Sequence, residues 1–579
     1  MKKGDVCEGI IERYDFPNKG SFQVDERKVT IKGALPGQKV KYMVTKKKSG
    51  MAEGKVLEVL ERSPLEDVEP TCPYFGACGG CAYQTMSYDN QLKLKADMVK
   101  ALLDRVLLAE DSNSKDYEWE GILGSPSQTA YRNKMEFTFG DAYKDGPLAL
   151  GLHQKGSFYD ILTVDGCEII GADWSRILTA TLAFFSGRNV PFFHRMRHEV
   201  ILRNLVVRQS RANGQFLINL VTSTQWDTYG FDVKQLLQEF VEMLLELEKS
   251  DAFTGSIAGI LYTENDALGD VVQSDRMELL YGQDYIEEEI LGLKFKISPF
   301  SFFQTNTGGC EVLYEKARDY IMRGSVKLDG DKTVFDLYSG TGTIAQMMAA
   351  VSKKVIGIEI VEEAVEAAKE NGISVVAFDS NVTDSDMIAA FRGTDNTSVG
   401  KLAGEKLADA IGKSGKVAIF SAQEKTESSR RRVEGFKEAI SAYSDISVVQ
   451  ELYMDKVEDM QSAIESTLQS YPDLAGVFCT NADVSDLYLD TEKTGDHVLT
   501  MVGVDATSKQ QEAIRNGVEA GVVSQDPYRI GYQTILAAVQ LTVPKEEVSG
   551  VERTVLYDPA WIDSSSLDDP EYSAYLYTE

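Results

Sequence analysis

The sequence predicts a multi-domain protein with a small N-terminal β-barrel, an α+β central domain and a C-terminal α/β doubly wound parallel sheet. Its 579 residues exceed what one hydrophobic core usually supports. Residues 4–59 read as short alternating strands broken by Gly and Pro, which is typical of a small barrel. Strands and helices alternate from Lys416 to Val539, which indicates parallel strands joined by crossover helices.

Charge divides the chain into two unlike ends. The net charge of -30 by itself argues against a nucleic-acid partner, because acidic surfaces repel phosphates. Residues 1–62, however, contain 14 Lys and Arg against 9 Asp and Glu, whereas residues 374–579 contain 17 against 35. The hydrophobic fraction of 43% supports packed cores and excludes a disordered or fibrous chain. We therefore expect the two ends to have different partners.

Compartment and redox state follow from the N-terminal segment and the cysteines. Asp5 and Glu8 interrupt the first residues before an apolar run forms, and no stretch reaches the roughly 18 apolar residues of a membrane helix. We therefore expect a cytoplasmic protein without a membrane partner. Seven cysteines, an odd number, in a reducing compartment favour metal binding, catalysis or burial over a disulfide framework.

The predicted barrel is of the oligonucleotide-binding, or OB-like, kind and spans residues 1–62. Its period-two strands are separated by turn residues about every ten positions. Lys46, Lys47 and Lys48 would give this barrel a phosphate-facing patch, and a solvated loop tip explains the same three lysines equally well.

Three cysteines within ten residues predict a metal site. Cys72, Cys78 and Cys81 form a C-x5-C-x2-C pattern, and the glycines between them let the backbone wrap closely. Cys167 is the nearest candidate for a fourth ligand. Four thiolates suit an iron-sulfur cubane or a tetrahedral zinc ion, and spacing alone does not separate the two.

A second group of motifs predicts a nucleotide-type site. Residues 298–306, SPFSFFQTN, contain Gln304, and residues 333–349 read as a strand, a glycine turn and the start of a helix. Glycines let the backbone approach a ligand, and a helix N-terminus presents unpaired amides. The following strand ends in Glu359, whose carboxylate is placed to accept hydrogen bonds from two ribose hydroxyls.

Together these motifs resemble the iron-sulfur RNA (uracil-C5)-methyltransferases. The resemblance rests on a TRAM-like barrel, the cysteine run, the segment AYRNKMEF at 130–137 and the segments around Gln304 and Glu359, and it covers about residues 1–372. It implies S-adenosylmethionine as methyl donor and ribosomal or transfer RNA as substrate, with ribosomal RNA preferred. It also implies a [4Fe-4S] cluster whose ligands are Cys72, Cys78, Cys81 and Cys167.

The same resemblance implies roles for other residues. Arg132 and Lys134 would lie on a strand facing the RNA, although charges that protect a strand edge explain both. Thr343 stands where many members carry Asn, which puts that donor contact in doubt. The residues expected to hold the donor are Gln304, Tyr338, Gly340, Gly342 and Glu359.

The resemblance stops after Gly372. The family continues with an Asp-Pro-Pro-Arg segment and a Ser-Cys-Asn-Pro segment that contains the nucleophile, and neither occurs in residues 373–579. Methylation at uracil C5 requires a thiolate that adds at C6 and a base that removes the C5 proton. The unassigned Cys7, Cys310 and Cys479 are expected to be small buried side chains. We therefore assign no catalytic residue and predict a disabled or badly impaired enzyme.

Residues 373–579 resemble the later part of type I periplasmic sugar-binding proteins. The segments that carry this second resemblance include ISVVAFDSNV, DLAGVFCTNAD and AGVVSQDPYRIGYQ. Such proteins bind a sugar through carboxylates, amides and an Arg at strand ends, although the same residue types are frequent at helix caps. The sugar-binding residues that the resemblance implies are Asp379, Arg430, Asn481, Asp505 and Gln525.

The two resemblances meet near residues 364–373, where both families place a helix followed by a strand. A join there is expected to leave each half without the strands that complete its own sheet, so the α/β sheet is predicted to be hybrid. RNA methylation is the main functional hypothesis, and sugar binding is the alternative. The predicted domains are the barrel at 1–62, the iron-sulfur and central sheet domain at 63–297, the start of the donor-binding domain at 298–372 and the α/β lobe at 373–579.

Overall fold

The computed structural model describes most of the chain. The residues outside the description are 1, 49, 109–116, 158, 195–200, 268–273, 324–332, 338–341, 350–353, 359–374, 380–387, 425, 458, 492–498, 542–549 and 578–579. Three residues predicted to hold the methyl donor, Tyr338, Gly340 and Glu359, therefore lie outside the described residues, as does the predicted join at 364–373.

Six strands form the N-terminal sheet, in the order β1-β5-β6-β4-β3-β2. The β4 and β6 strands pair in parallel, and the other neighbours are antiparallel. Inward-facing apolar side chains such as Val29, Ile31, Val40 and Tyr42 form its buried core. The strands are β1 (Val6–Ile10), β2 (Arg13–Asp15), β3 (Lys19–Val24), β4 (Arg27–Lys32), β5 (Lys39–Lys48) and β6 (Met51–Glu61).

The helix α1 (Tyr88–Leu107) and a seven-stranded sheet follow. The sheet order is β13-β12-β11-β10-β7-β8-β9, and β11 and β12 pair in parallel. Helices α2 (Ala172–Gly187) and α3 (Val233–Glu248) share a large aromatic core with this sheet. The strands are β7 (Lys134–Asp141), β8 (Leu148–His153), β9 (Ile161–Leu162), β10 (Leu202–Gln209), β11 (Gln215–Thr222), β12 (Ser256–Glu264) and β13 (Arg276–Gly282).

A hairpin and one helix connect this central sheet to the next. The hairpin consists of β14 (Ile286–Ile290) and β15 (Leu293–Ile297), and α4 (Thr307–Arg323) comes after it. The alternating burial of β14 places Ile286 and Ile290 in a cluster with Cys310 and Tyr314 of α4. The segment 298–306, between hairpin and helix, is thereby held beside the central sheet.

A five-stranded parallel sheet combines strands from both halves of the sequence, in the order β16-β17-β18-β19-β25. The sequence predicts a hybrid α/β sheet, and the strand order agrees with this, because β16 and β17 precede the predicted boundary at residue 373 whereas β18, β19 and β25 follow it. The β17 strand pairs directly with β18, because backbone hydrogen bonds between parallel strands depend little on sequence. The elements are β16 (Thr333–Leu337), α5 (Thr343–Ala349), β17 (Lys354–Ile358), β18 (Val375–Phe378), β19 (Ala390–Thr394) and β25 (Thr554–Tyr557).

A second parallel sheet forms the other lobe of the C-terminal half, in the order β21-β20-β22-β23-β24-β26, with β26 antiparallel at its edge. Its strands are β20 (Gly415–Ser421), β21 (Ile446–Tyr453), β22 (Leu474–Cys479), β23 (Thr500–Val504), β24 (Glu519–Ser524) and β26 (Ala560–Ile562). The helices are α6 (Asn396–Ala410), α7 (Glu427–Ile440), α8 (Met460–Ser470), α9 (Ala482–Asp490), α10 (Ser508–Arg515) and α11 (Pro527–Gln540).

Three short 3₁₀ helices complete the described structure, at Asp227–Tyr229, Met454–Lys456 and Pro570–Tyr575. The last of them leads into the C-terminal residues, which pack against the second lobe. Within the described part of the chain, no helix combines the length and the apolar character needed to cross a membrane.

Candidate functional site

A cleft of about 570 Å³ opens at the start of β7. Arg132 and Lys134, the two residues predicted to face RNA, both line it. The Arg132 Nε donates to the Lys134 carbonyl (2.9 Å), and Lys134 pairs with Glu136 at 2.6 Å. The Phe302 side chain is 73% exposed at the same cleft, an unusual position for a phenylalanine. The cleft thus combines cationic groups with an accessible aromatic ring.

A buried arginine holds the aromatic wall of this cleft in place. Arg208 of β10 is 2% exposed, and its guanidinium donates to the carbonyls of Pro299 (3.1 Å) and Ser301. Burial lowers the pKa of Arg208 to about 10, and Glu136 opposes that change. The sequence prediction missed Arg208, because its partners are backbone atoms about 90 residues further along the chain.

Asn133 fastens the segment 304–307 to the central sheet. Its Nδ2 donates to the Gln304 carbonyl and to the Thr307 Oγ1, both at 2.9 Å, and its backbone amide donates to the Thr305 carbonyl at 2.9 Å. Thr307 in turn donates to the buried carboxylate of Glu288 at 2.9 Å. Asn133 lies between Arg132 and Lys134 in the sequence, and that position was the signal that could have identified it.

The four predicted metal-binding cysteines lie on two neighbouring segments of the chain, the loop 72–81 and the turn at Cys167. The loop containing Cys72, Cys78 and Cys81 docks on the end of β8 through two backbone bonds, Lys155 N–H to Ala77 O (2.7 Å) and Gly79 N–H to His153 O (3.3 Å). Thr71 Oγ1 donates to Glu168 at 2.5 Å, next to Cys167. The loop and the Cys167 turn therefore lie against each other.

Two of these four thiols have shifted pKa values. Burial raises the pKa of Cys167, and the charges of the other three thiols add to that rise. Burial also raises the pKa of Cys81, whereas Arg132 of the cleft acts to lower it. Among the described residues, no group of three or more His, Cys, Asp or Glu side chains is arranged to hold one metal ion. A single zinc ion would draw its sulfurs to about 2.3 Å from one centre, whereas each thiolate of a cubane binds a different iron.

Gln304 and Gly342 are the predicted donor residues that the structure describes, and each adjoins an element of one hydrophobic cluster. The Gln304 side chain hydrogen-bonds the Tyr314 hydroxyl, and Tyr314 packs in one cluster with Phe303 and with Met347 of α5. Gly342 is buried with φ +73°, immediately before α5, a backbone conformation that favours glycine. Asp336 at the end of β16 accepts from the Ala345 amide at 2.8 Å and so fixes the start of that helix.

The cysteines without a predicted metal role are packed into cores. Cys310 is 4% exposed within the α4 cluster, and burial raises its pKa to about 11. Cys479 is 0% exposed in the core of the second lobe. Cys7 lies on β1, is partly exposed, and packs against the core of the N-terminal sheet. A thiol with a raised pKa is protonated at neutral pH, and the thiol form is a poor nucleophile.

Asp505 is the centre of a polar network in the second lobe. Its Oδ1 accepts from Gln525 Nε2 (2.8 Å) and its Oδ2 from the Ala482 amide (2.9 Å). Gln525 also accepts from Thr394 of β19 at 2.9 Å, which links the two lobes. Asp505 and Asp379 have φ values of +74° and +64°, a strained conformation for residues other than glycine.

Asp379, at the end of β18, faces the same network. It retains water-accessible surface, yet the surrounding protein is dense enough that burial raises the pKa of its carboxyl. Arg432 lowers this pKa and Asp505 raises it further. Asn481 accepts from the Val484 amide at 3.3 Å and so caps α9, the structural role that its position also allows.

The arginine inside the network is Arg432. It is 6% exposed and donates to Asn396 Oδ1 (2.8 Å) and the Thr480 carbonyl (2.7 Å). The predicted Arg430 is exposed instead and lies 4.0 Å from Glu434. Residues two apart on a helix point in different directions, which explains the difference. Gly400 of α6 permits this burial, because a Cβ there would lie 2.0 Å from the Arg432 carbonyl oxygen.

Comparison with curated proteins identifies the larger part of the chain. It is 46% identical over 371 residues to an uncharacterized RNA methyltransferase, TTE1797, of Caldanaerobacter subterraneus subsp. tengcongensis, covering 64% of this chain and 77% of that protein. An uncharacterized RNA methyltransferase of Clostridium tetani is 47% identical over 371 residues, covering 64% and 76%. The chain belongs to this RNA methyltransferase family.

Beyond the methyltransferase part, residues 327–546 match the family described as periplasmic binding protein domain. The match begins before the predicted boundary at 373, so it includes β16, α5 and β17 of the methyltransferase part. The chain therefore has a methyltransferase N-terminal region and a periplasmic-binding-protein-like C-terminal fold. The two overlap in the five-stranded sheet β16-β17-β18-β19-β25, called the composite sheet below.

Solved structures similar to this methyltransferase chain fall into the same two groups. One is a tRNA (uracil-54, C5)-methyltransferase of Pyrococcus abyssi in complex with S-adenosyl-L-homocysteine, with 20% identity, TM-score 0.45, and coverage of 64% of this chain and 82% of that one. Another is an ABC transporter solute binding protein of Agrobacterium vitis with bound D-fucose, with 24% identity, TM-score 0.36, and coverage of 41% and 83%.

Proposed function

We propose that the chain is an S-adenosylmethionine-dependent RNA (uracil-C5)-methyltransferase by descent, directed at ribosomal RNA in the cytoplasm, that binds RNA without methylating it. The observation that carries this proposal is the cleft beside Arg132 and Lys134, with exposed Phe302 on its wall. Cationic groups neutralise phosphates, and an accessible ring can stack on an unpaired base. Transfer RNA is the other substrate class that such a cleft fits.

The N-terminal sheet extends this proposed RNA surface. As a TRAM-like barrel at residues 1–62, it contributes the basic end of the chain, including Lys46 and Lys47 on β5. The same lysines also suit a solvated strand end. The proposed domains remain the barrel, the iron-sulfur and central sheet region at 63–297, the donor-binding start at 298–372 and the lobe at 373–579.

We propose a [4Fe-4S] cluster on Cys72, Cys78, Cys81 and Cys167. The cluster and its ligands are proposed from the family resemblance, and the rise in the pKa of Cys81 and Cys167, to which neighbouring thiols contribute, supports their placement on adjoining loops. When bound, the cluster would fix the cysteine loop against the 165–168 turn and so shape the wall of the RNA cleft. Gly80 of this loop lines the cleft together with Arg132, so a cluster that fixes the loop would also fix part of the cleft wall.

We also propose that the donor binds beside Gln304 and Gly342. The contact between Gln304 and Tyr314, and the packing of Tyr314 with Met347 of α5, support this position because α5 begins directly after Gly342. Tyr338, Gly340 and Glu359 belong to the proposed site by family resemblance. S-adenosylmethionine would supply the methyl group, while these residues bind and orient it.

Methyl transfer is proposed to fail for lack of a nucleophile. The reaction requires a thiolate within reach of uracil C6. Cys310 is protonated and buried, Cys479 is enclosed in the second lobe, and Cys7 packs in the barrel. The remaining four cysteines belong to the proposed cluster. The chain would therefore still bind RNA but would not transfer a methyl group to it.

RNA binding can be measured by fluorescence anisotropy with a labelled ribosomal RNA hairpin that has uridines in its loop. Substituting both Arg132→Ala and Lys134→Ala should weaken binding at least ten-fold and reduce the slope of the salt dependence by about one for each phosphate that is no longer neutralised. The control is Lys249→Ala, a 70% exposed lysine of the same central region that pairs with Glu246. Equal affinity of the double variant and the wild type would refute the proposed RNA cleft.

The second candidate function is capture of a small sugar by the C-terminal half, and the network around Asp505, Gln525 and Asp379 favours it. Carboxylates and amides at strand ends are suited to ring hydroxyls. Calorimetry against a panel of pentoses and hexoses should show binding that Asp505→Asn weakens. Absence of heat with every sugar of the panel would count against this function.

A further inference from the structure

Tyr577, in the segment that follows the last 3₁₀ helix, reaches into the polar network around Asp505. Its hydroxyl donates to Asp505 Oδ1 at 2.9 Å. The hydroxyl is close enough to Asp379 and Arg432 to feel both charges, and burial together with Asp505 raises the pKa of this tyrosine. Tyr577 therefore remains a neutral hydrogen-bond donor at any ordinary pH.

The tail that carries Tyr577 is seated on the second lobe by backbone and side-chain bonds. The Tyr577 amide donates to the Ala506 carbonyl (3.0 Å), and Gln511 Nε2 donates to the Tyr577 carbonyl (3.0 Å). Ser524 Oγ donates to the Tyr575 carbonyl at 2.7 Å. These contacts place the ring at the network in a defined position.

The bonds to Asp505 leave little capacity for a ligand. A carboxylate offers about four acceptor positions. Gln525 and Tyr577 fill both positions on Oδ1, and the Ala482 amide fills one on Oδ2. The Gln525 and Ala482 donors belong to the end of a strand and the start of a helix, whereas Tyr577 belongs to the terminal tail. Among these three donors, Tyr577 is the one that lies outside the lobe's sheet and its crossover helices.

We propose that Tyr577 competes with the sugar for Asp505 within the same chain. The Tyr577 hydroxyl takes the position on Asp505 that a ligand hydroxyl would otherwise take. This inference rests on the proposed sugar-binding function. A polyol that contacts Asp505 with two hydroxyls must displace the Tyr577 hydroxyl, so the tail that carries Tyr577 weakens sugar binding. It also favours ligands with a hydroxyl that can replace the Tyr577 hydroxyl as hydrogen-bond donor.

The test is calorimetry of the full chain with the pentose and hexose panel, comparing wild type, Tyr577→Phe and Tyr572→Phe. The control removes the same hydroxyl from a tail tyrosine whose ring packs beside Tyr575, at 6.1 Å between centroids. We expect Tyr577→Phe to bind at least ten-fold more tightly and Tyr572→Phe to match the wild type. Thermal unfolding of each variant checks that the lobe is intact.

The remaining outcomes overturn the inference in distinguishable ways. Equal affinities of wild type and Tyr577→Phe would show that the tail does not compete, while the sugar-binding function stands. Weaker binding by Tyr577→Phe would make the hydroxyl a ligand contact instead of a competitor. Absence of heat with every variant would remove the sugar-binding function and this inference with it.

Discussion

Ile358 of β17 and Val376 of β18 pair in parallel register, which joins the methyltransferase half of the chain to the periplasmic-binding-protein half in one sheet. The side chains confirm the joint core, because Val376 packs with Ala390, Ala537 and, from β16, Phe335. The carboxyl ends of β16 to β19 lie at one edge, so Gly342, which comes after β16, and Asp379, which comes after β18, follow strands of the same sheet.

Shortening Val376 tests this composite core. Val376 is 0% exposed, so Val376→Ala should destabilise the composite sheet by about 2 kcal/mol, because the smaller side chain packs less well and leaves a cavity. Leu556→Ala on β25 of the same sheet is the control, since Leu556 is 48% exposed and should change stability by less than about 0.5 kcal/mol. Scanning calorimetry measures both. An unchanged transition for Val376→Ala would mean that the two halves do not share a core.

Anaerobic reconstitution with iron and sulfide tests the cysteine site. The wild type should gain visible charge-transfer absorption and bound iron, and Cys167→Ser should lose most of both because one of four thiolates is missing. Cys479→Ala, a cysteine of the second lobe, should behave like the wild type. Stoichiometric zinc in the purified protein, with no iron uptake, would replace the proposed cluster by a zinc site.

The pH dependence of stability tests the state of Cys310. Burial raises the pKa of this thiol from its ordinary value of 9.0 to about 11, so the folded chain keeps a proton that the unfolded chain releases between those values. The resulting stability is fully present below about pH 9 and is lost as the pH rises to about 11. Urea unfolding across this range should show a decline that is smaller in Cys310→Ala. Parallel declines in both proteins would show that Cys310 is not the group responsible.

Replacing Arg208 tests how the aromatic wall of the cleft is held. A lysine cannot donate to the Pro299 and Ser301 carbonyls with the same planar geometry, so Arg208→Lys should loosen residues 299–303. Loss of one bond of about 1.5 kcal/mol corresponds to roughly ten-fold faster amide exchange there. Arg276→Lys, at an exposed ion pair, is the matched control. If amide exchange in residues 299–303 is unchanged, Arg208 packs in the core but does not hold this segment in place.

The sequence is informative wherever the signal is local. The cysteine spacing, the glycine turn and the strand-helix alternation are short-range patterns, and they indicate two families without any three-dimensional information. The pairing of β17 with β18 is not local, since either strand could join another partner with the same backbone bonds. Likewise, Arg430 and Arg432 differ only in which side of a helix they occupy, and only the packing at Gly400 distinguishes them.

Contacts that link distant segments are beyond sequence reasoning. Arg208, Asn133 and Tyr577 act on backbone or carboxylate atoms tens of residues away, and nothing local in the sequence indicates those partners. Sequence identifies the chemistry of the separate halves, and the structure is needed to show how they meet.

The most direct test of the account is transfer of a labelled methyl group from S-adenosylmethionine to unmodified ribosomal RNA by the full chain, with RNA binding measured in the same samples. We predict that RNA is bound and that label incorporation stays at background, because Cys310 and Cys479 are buried, Cys7 packs against the N-terminal sheet, and the other four cysteines belong to the proposed cluster. Incorporation above background that Cys310→Ala or Cys479→Ala abolishes would contradict the account and identify the missing nucleophile.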